Sequence, residues 1–218
     1  MAERRATPDR PGAQEWVPPD GDVDALAAAA PACRGCELWA PATQVVVGAG
    51  PPDARVVLVG EQPGDREDLA GEPFVGPAGR VLHDGLRDAG LDAGAVYVTN
   101  AVKHFRFTER GRRRLHKSPA VAHVRACHPW LGAELAAVGP RVVVCLGATA
   151  ARSVLGRDVT VGELRGRLLD EHPAEAPDAT VLVTVHPSAV LRLRGRAGWD
   201  EAYAGFVADL RAAGAAVG

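Results

Sequence analysis

Aromatic residues are sparse in this sequence, 5% of 218 positions, methionine occurs once, and lysine is scarce. Alanine, glycine, valine, arginine and proline take their place, a skew that reads as GC-rich coding rather than as function. No apolar run approaches the roughly 20 residues needed to cross a bilayer, which argues against a membrane-spanning helix. The start, MAERRATPDRPGAQ, is polar and lacks the apolar stretch of a secretory signal, so a cytoplasmic protein with no membrane partner is expected. There are only four cysteines, and in a reducing compartment they act as ligands or free thiols rather than disulfides. Neither sign of charge is in excess. With a net charge of −2, a polyanion would have to be met by locally concentrated basic residues. There is no internal repeat, coiled-coil pattern or spare apolar stripe, and a monomer is expected.

What is present is a chain long enough, and at 47% hydrophobic apolar enough, for one α/β domain. Residues 1–21 are rich in proline, glycine and charge and read as a flexible arm, leaving a single domain over 22–218. Four runs are nearly continuous in valine and leucine: RVVLVG at 55–60, VYVT at 96–99, RVVVCL at 141–146 and TVLVTV at 180–185. Such runs are the mark of strands buried on both faces of a parallel sheet. Val45–Val47 could add an edge strand. Helical patterns fall before, between and after them, at 22–30, 78–89, 119–138, 148–155 and 200–212. The alternation predicts a three-layer α/β/α sandwich around a central, mainly parallel four-stranded sheet.

Ligands of open α/β sheets bind beyond the carboxyl ends of the strands. Gly60-Glu61-Gln62-Pro63-Gly64-Asp65 follows the first run, and Asn100-Ala101-Val102-Lys103-His104 the second. Gly147-Ala148-Thr149 follows the third, and His186-Pro187-Ser188 the fourth. Parallel strands would bring a carboxylate, an amide and a histidine to one edge.

From Cys33 to the C-terminus the chain resembles the uracil-DNA glycosylase superfamily, on the segments GEQPGD, GEPFVGPAGR, VTNAVK and HPSAVLR in that order. The resemblance is to the iron–sulfur, family 4-like branch and its UdgX relatives. It implies a uracil-DNA glycosylase acting on a nucleotide flipped out of the DNA stack, with uracil and uracil-containing DNA, single-stranded by preference, as partners. Phe74 would stack on the uracil, Asn100 would read its Watson–Crick edge, and His186 would stabilise the leaving anion. Ser188 and Arg192 would hold the strand. Gly60, Gly64 and Gly76 would allow close backbone approach, and the role of Asp65 is less clear.

Between Lys103 and Lys117, seven of the 25 basic residues fall in fifteen positions, including Arg112, Arg113 and Arg114. A phosphate backbone needs such a concentration. The run Arg112-Arg113-Arg114-Leu115-His116 resembles the basic insert ending in histidine that marks UdgX proteins, in which the histidine becomes covalently attached to the deoxyribose C1′. The resemblance implies capture through His116, oriented and deprotonated by Glu61, with Gln62 an amide that cannot serve as a base. Two alternatives stand beside it. One is a turnover glycosylase whose basic loop only grips DNA, and the other is a non-catalytic uracil- or nucleotide-binding module.

Cys33 and Cys36 share a CxxC turn, while Cys127 falls in a helix and Cys145 in a strand. Four thiolates suit either an iron–sulfur cluster or zinc. The resemblance favours a structural 4Fe-4S cluster on Cys33, Cys36, Cys127 and Cys145, with zinc as the lesser alternative.

Overall fold

The computed structural model describes residues 10–218. The strands are β1 (Val56–Gly60), β2 (Val96–Asn100), β3 (Phe107–Arg110), β4 (Arg113–His116), β5 (Val142–Leu146), β6 (Leu168–Leu169) and β7 (Thr180–Thr184). The helices are α1 (Val23–Ala29), α2 (Asp65–Ala70), α3 (Pro77–Ala89), α4 (Val121–Val138), α5 (Ala148–Leu155), α6 (Val161–Leu164), α7 (Pro187–Leu191) and α8 (Trp199–Ala215).

The central sheet has the order β2-β1-β5-β7-β6. The four apolar runs pair in parallel, so their carboxyl ends share one edge. A fifth strand of two residues, β6, adds antiparallel to β7 and was too short to read from a pattern. Val45–Val47 forms no strand. Within it the Val46 N–H donates to the Lys103 carbonyl, and just beyond it an isolated bridge joins Ala49 to Val98.

Alternation along the strands divides the core in two. Val57, Val59, Val143, Cys145, Val181 and Val183 pack with α4 and α5, through Leu131, Leu135, Ala150 and Val154. Val56, Leu58, Val142, Val144 and Leu182 pack on the other face with α3 and α8, through Leu82, Leu86, Phe206 and Leu210. The result is the expected three-layer α/β/α arrangement. Among the described residues no helix is long and apolar enough to cross a membrane.

A third apolar cluster lies on the outer side of α4, where α1 and the CxxC segment meet Val124, Cys127 and Trp130. Asp22 caps α1 by accepting from the Ala25 amide at 2.8 Å. Of the arm expected over residues 1–21, residues 1–9 lie outside the described residues, while residues 10–17 join this cluster. Ala13 is buried, its N–H donates to the Ala126 carbonyl, the Gly12 N–H donates to Gly35, and Arg10 pairs with Glu37.

The basic stretch after β2 is a two-stranded antiparallel hairpin, β3–β4, turning at Gly111-Arg112 with Gly111 in the left-handed region. Its register sets Phe107 opposite His116 and Arg110 opposite Arg113.

Candidate active site

The sheet edge is built first by glycine. A side chain on Gly60 would come within 2.3 Å of Asn100 Oδ1 and 2.6 Å of Phe74 Cζ, so the amide and the phenyl ring flank one point at the end of β1. Asn100 is buried, and its Oδ1 is the one buried side-chain polar atom among the described residues without a hydrogen-bond partner. Leaving such an atom unpaired costs about 1–3 kcal/mol, and native proteins keep few of them outside functional sites. The Asn100 amide thus presents an acceptor ready for an N–H.

Phe74 is buried and sits at φ 57°, in the left-handed region that a bulky side chain rarely adopts. The surrounding loop over-determines it. Glu67 accepts from the Gly64 and Gly76 amides at 3.1 and 2.7 Å, and a side chain on either glycine would strike that carboxylate. Gly64 and Gly76 therefore make room for Glu67, which in turn fixes the loop carrying Phe74.

The Phe74 ring stacks toward His186, with centroids 6.1 Å apart and planes inclined by 29°. His186 caps α7, and its Nδ1 accepts from the Ser188 N–H at 3.1 Å, with Ser188 Oγ at 2.8 Å. An amide N–H can only donate, so the ring proton resides on Nε2. Burial, reinforced by the like charges of His116 and Arg192, pulls its pKa down to about 4. At neutral pH it is an uncharged N–H donor beside Phe74.

Glu61 is half-buried at the next position along the edge. Its Oε1 stands 3.4 Å from His116 Nε2, and its Oε2 accepts from the Thr149 hydroxyl at 2.6 Å. Gln62 holds the hairpin in place. Its Oε1 accepts from the Arg106 N–H, and its Nε2 donates to the carbonyls of Arg106 and Lys117, the two residues that flank the strands at the open base of the hairpin.

The structure brings Gly60, Glu61, Gln62, Phe74, Asn100, His116, His186 and Ser188 to one edge, with Arg192 exposed just past α7. Two residues read as DNA contacts are engaged elsewhere. Lys103 is fully buried, and its Nζ donates to Glu134 Oε2 at 2.5 Å, Thr99 Oγ1 at 2.6 Å and the Asn100 carbonyl at 2.9 Å. It turns inward because the chain leaves β2 beneath α4, where Glu134 is an otherwise uncompensated carboxylate. Arg114 is spent on the protein itself. It pairs with Asp65 at 2.7 Å and Asp68 at 2.5 Å, bonds Thr43, and lies over Phe105 and Phe107. Asp65 is thereby an anchor for the hairpin. Arg112 and Arg113, at the tip, and Lys117 remain exposed.

The cysteines also divide. Cys33, Cys36 and Cys127 meet in the cluster beside α1. Two N–H donors point at their sulfurs: Trp130 Nε1 at Cys33 Sγ, 3.3 Å, and the Lys103 amide at Cys127 Sγ, 3.2 Å. Burial pushes the Cys127 thiol up to about 12, against the opposing pull of Lys103. Cys145 belongs to the core between the sheet and α5, and burial alone raises it. It therefore does not join the other three as a fourth ligand, because the alternation along β5 turns it to the far side of α4. Among the described residues no group of three or more potential ligands is drawn together tightly enough to mark a metal site by itself. His104 is the next residue after Lys103, whose amide bonds Cys127; it is buried, lies within the influence of both Asp68 and Arg34 of the CxxC turn, and makes no hydrogen bond among the described residues.

From the sequence His104 was given no part, and Thr149 was placed at a strand end without a role. Arg194 and Arg196 are exposed beyond Arg192, with Arg194 over the Trp199 ring at 5.1 Å.

A stacking ring, an unpaired amide oxygen and a neutral imidazole at the carboxyl edge of a parallel sheet define a class of α/β protein built to hold a flat, N–H-bearing ring. The model of the uracil DNA glycosylase superfamily matches residues 47–211. A type-4 uracil-DNA glycosylase of Thermotoga maritima is 38% identical over 163 residues, 74% of this chain and 79% of the relative. One from Archaeoglobus fulgidus is 36% identical over 163 residues, 73% and 78% of the two chains. A type-5 uracil-DNA glycosylase of Pyrobaculum aerophilum is 31% identical over 178 residues, 75% and 74%. The chain belongs to the uracil DNA glycosylase superfamily.

Proposed function

We propose that this protein excises uracil from DNA and then joins itself through His116 to the abasic sugar. The unpaired Asn100 Oδ1 beside Phe74 carries the first part. Uracil presents N3–H to that acceptor and O4 to the amide donor. Cytosine reverses the pattern at both atoms and would leave buried polar groups unpaired. With the ring stacked on Phe74, the His186 Nε2–H donates to uracil O2, where charge collects as the N1–C1′ bond breaks. The bonding electrons leave with uracil as its anion, and C1′ gains oxocarbenium character.

The 3.4 Å approach of His116 to Glu61 supports the second part. The ring nitrogen holding the lone pair forms a bond to C1′. The other nitrogen loses its proton to Glu61, and a neutral N-alkylimidazole results. The exposed Arg112, Arg113, Lys117 and Arg192 supply phosphate contacts on the same edge, and an extruded base is reached most cheaply in a single strand.

Cys33, Cys36, Cys127 and His104 fit a 4Fe-4S cluster or zinc, supported by the amide and indole donors aimed at the sulfurs. Such a group, when bound, supplies a cross-link between the CxxC turn, α4 and the end of β2, and no electron is required by the cleavage. Residues 22–218 form, on this reading, a single catalytic domain acting as a monomer in the cytoplasm.

In the turnover reading, which the kinship with type-4 uracil-DNA glycosylases fits equally well, the hairpin only grips DNA and a free abasic site is released. A labelled oligonucleotide with one uracil separates these. A band that survives boiling in detergent supports capture, and alkali-labile free DNA supports turnover. Intact DNA with no band would leave a binding module.

A further inference from the structure

Thr149 stands at the same sheet edge and has no part in the chemistry above. It lies in the first turn of α5, entered from Gly147, whose φ of 91° turns the chain sharply past His186. The N-cap position of α5 is Gly147, which has no side chain to cap the helix with. No side chain caps α5, and the Thr149 hydroxyl reaches across to β1 instead, donating to Glu61 Oε2 at 2.6 Å. The other oxygen of the same carboxylate faces His116 Nε2 at 3.4 Å. Three residues from three separate chain segments thus stand in line: hydroxyl, carboxylate, imidazole.

We infer that Thr149 is the positioning residue that holds Glu61 in the orientation from which it activates His116. This rests on the capture reading above. A half-buried glutamate can rotate about its side-chain torsions, and without a partner for Oε2 either oxygen could turn away to solvent. A hydroxyl at 2.6 Å fixes one oxygen and leaves the second for the imidazole. Hydrogen bonds to a charged group are the strong kind, and their directionality is what an orienting group needs. Thr149 reaches the imidazole only through Glu61. It should therefore affect the formation of the His116–C1′ bond more than the departure of uracil, which depends on Phe74, Asn100 and His186.

The test compares wild type with Thr149→Val, which keeps the shape, and Thr149→Ser, which keeps the hydroxyl. Thr149→Ala serves as a second deletion in case valine prevents folding. Each is mixed in excess with a single-stranded oligonucleotide carrying one uracil. Free uracil and protein–DNA adduct are then timed separately in the same reaction. Valine and alanine are expected to slow adduct formation about tenfold, the effect of losing one charge-assisted hydrogen bond, with uracil release within about twofold of wild type. Serine is expected to restore the wild-type adduct rate. Valine and alanine variants that capture at the wild-type rate would overturn the role of Thr149 while leaving capture intact. So would a serine variant as slow as valine, or uracil release falling in parallel. Uracil release by wild type with no adduct at all would instead overturn the capture reading, and the Thr149 relay with it.

Discussion

Replacing Lys103 with methionine distinguishes most sharply between what the sequence suggested and what the structure contains. Lys103 sits in a run of basic residues, yet its ammonium is fully buried against Glu134 at 2.5 Å, both side chains 3% exposed or less. Glu134 Oε1 also accepts from the Gly48 amide at 2.9 Å, and Oε2 from Thr99 at 2.7 Å. Lys103→Met removes the only cation that pairs with Glu134 among the described residues and leaves a buried carboxylate holding two neutral donors. Breaking a buried pair on one side costs about 3–5 kcal/mol. For a domain of this size that corresponds to a fall in Tm of roughly 6–20 °C. Lys103→Met with Glu134→Gln leaves no unpaired charge, and the amide oxygen can still accept from Gly48, so the double variant is expected to regain more than half of the loss. Thermal and urea unfolding followed by circular dichroism measure both. A phosphate-contacting lysine behaves oppositely: its loss would leave stability within about 0.5 kcal/mol of wild type and flatten the salt dependence of DNA binding by about one unit of slope. That result would refute the buried-pair account.

Three further outcomes follow from the geometry. Cys145→Ala is expected to retain the iron or zinc content of the purified wild-type protein, whereas Cys127→Ser and His104→Ala lose it. Metal analysis of the three variants checks this, and loss in Cys145→Ala would restore that residue as a ligand. His186 has a folded pKa depressed to about 4 from 6.5, so the unfolded chain binds more protons between those values. Its contribution to stability is complete above about pH 6.5 and is lost as pH falls through 4. His186→Gln is expected to flatten that part of the stability–pH profile, and an unchanged profile would contradict the assignment. Arg112→Ala and Arg113→Ala are each expected to reduce the salt slope of DNA binding by about one, whereas Arg114→Ala leaves the slope and instead increases amide exchange across residues 107–116.

The parallel sheet was legible because its strands are buried on both faces, and Val56–Val59 or Val142–Val144 leave no other reading. Asn100, Glu61 and His186 were legible because parallel strands carry whatever follows them to one edge. The hairpin was not. Phe107–Arg110 and Arg113–His116 are strands whose charged side chains show no alternation against a core, held by Gln62 and by Arg114 on Asp65 and Asp68. Lys103 was misread because its partner lies 31 residues along the chain, so a buried ion pair looks like one more basic residue. Cys145 could have been set apart from the sequence, since strand alternation puts it with Val143 on the α5 face. His104 gave no signal, because the end of β2 reaches Cys127 only when it meets α4 in the fold. Phe74 was singled out only through the family resemblance of its GEPFVGPAGR segment, and the carboxylate that fixes its loop, Glu67, was not singled out at all.

Mass spectrometry of the protein after reaction with a uracil-containing oligonucleotide tests the central claim most directly. After nuclease and protease digestion, the account predicts a deoxyribose-derived mass on the peptide containing His116, with free uracil released in equal amount. The His116→Ala protein is expected to carry none. Uracil released with every peptide unmodified would contradict capture and leave a turnover glycosylase. Modification of a different residue would contradict the Glu61–His116 assignment itself.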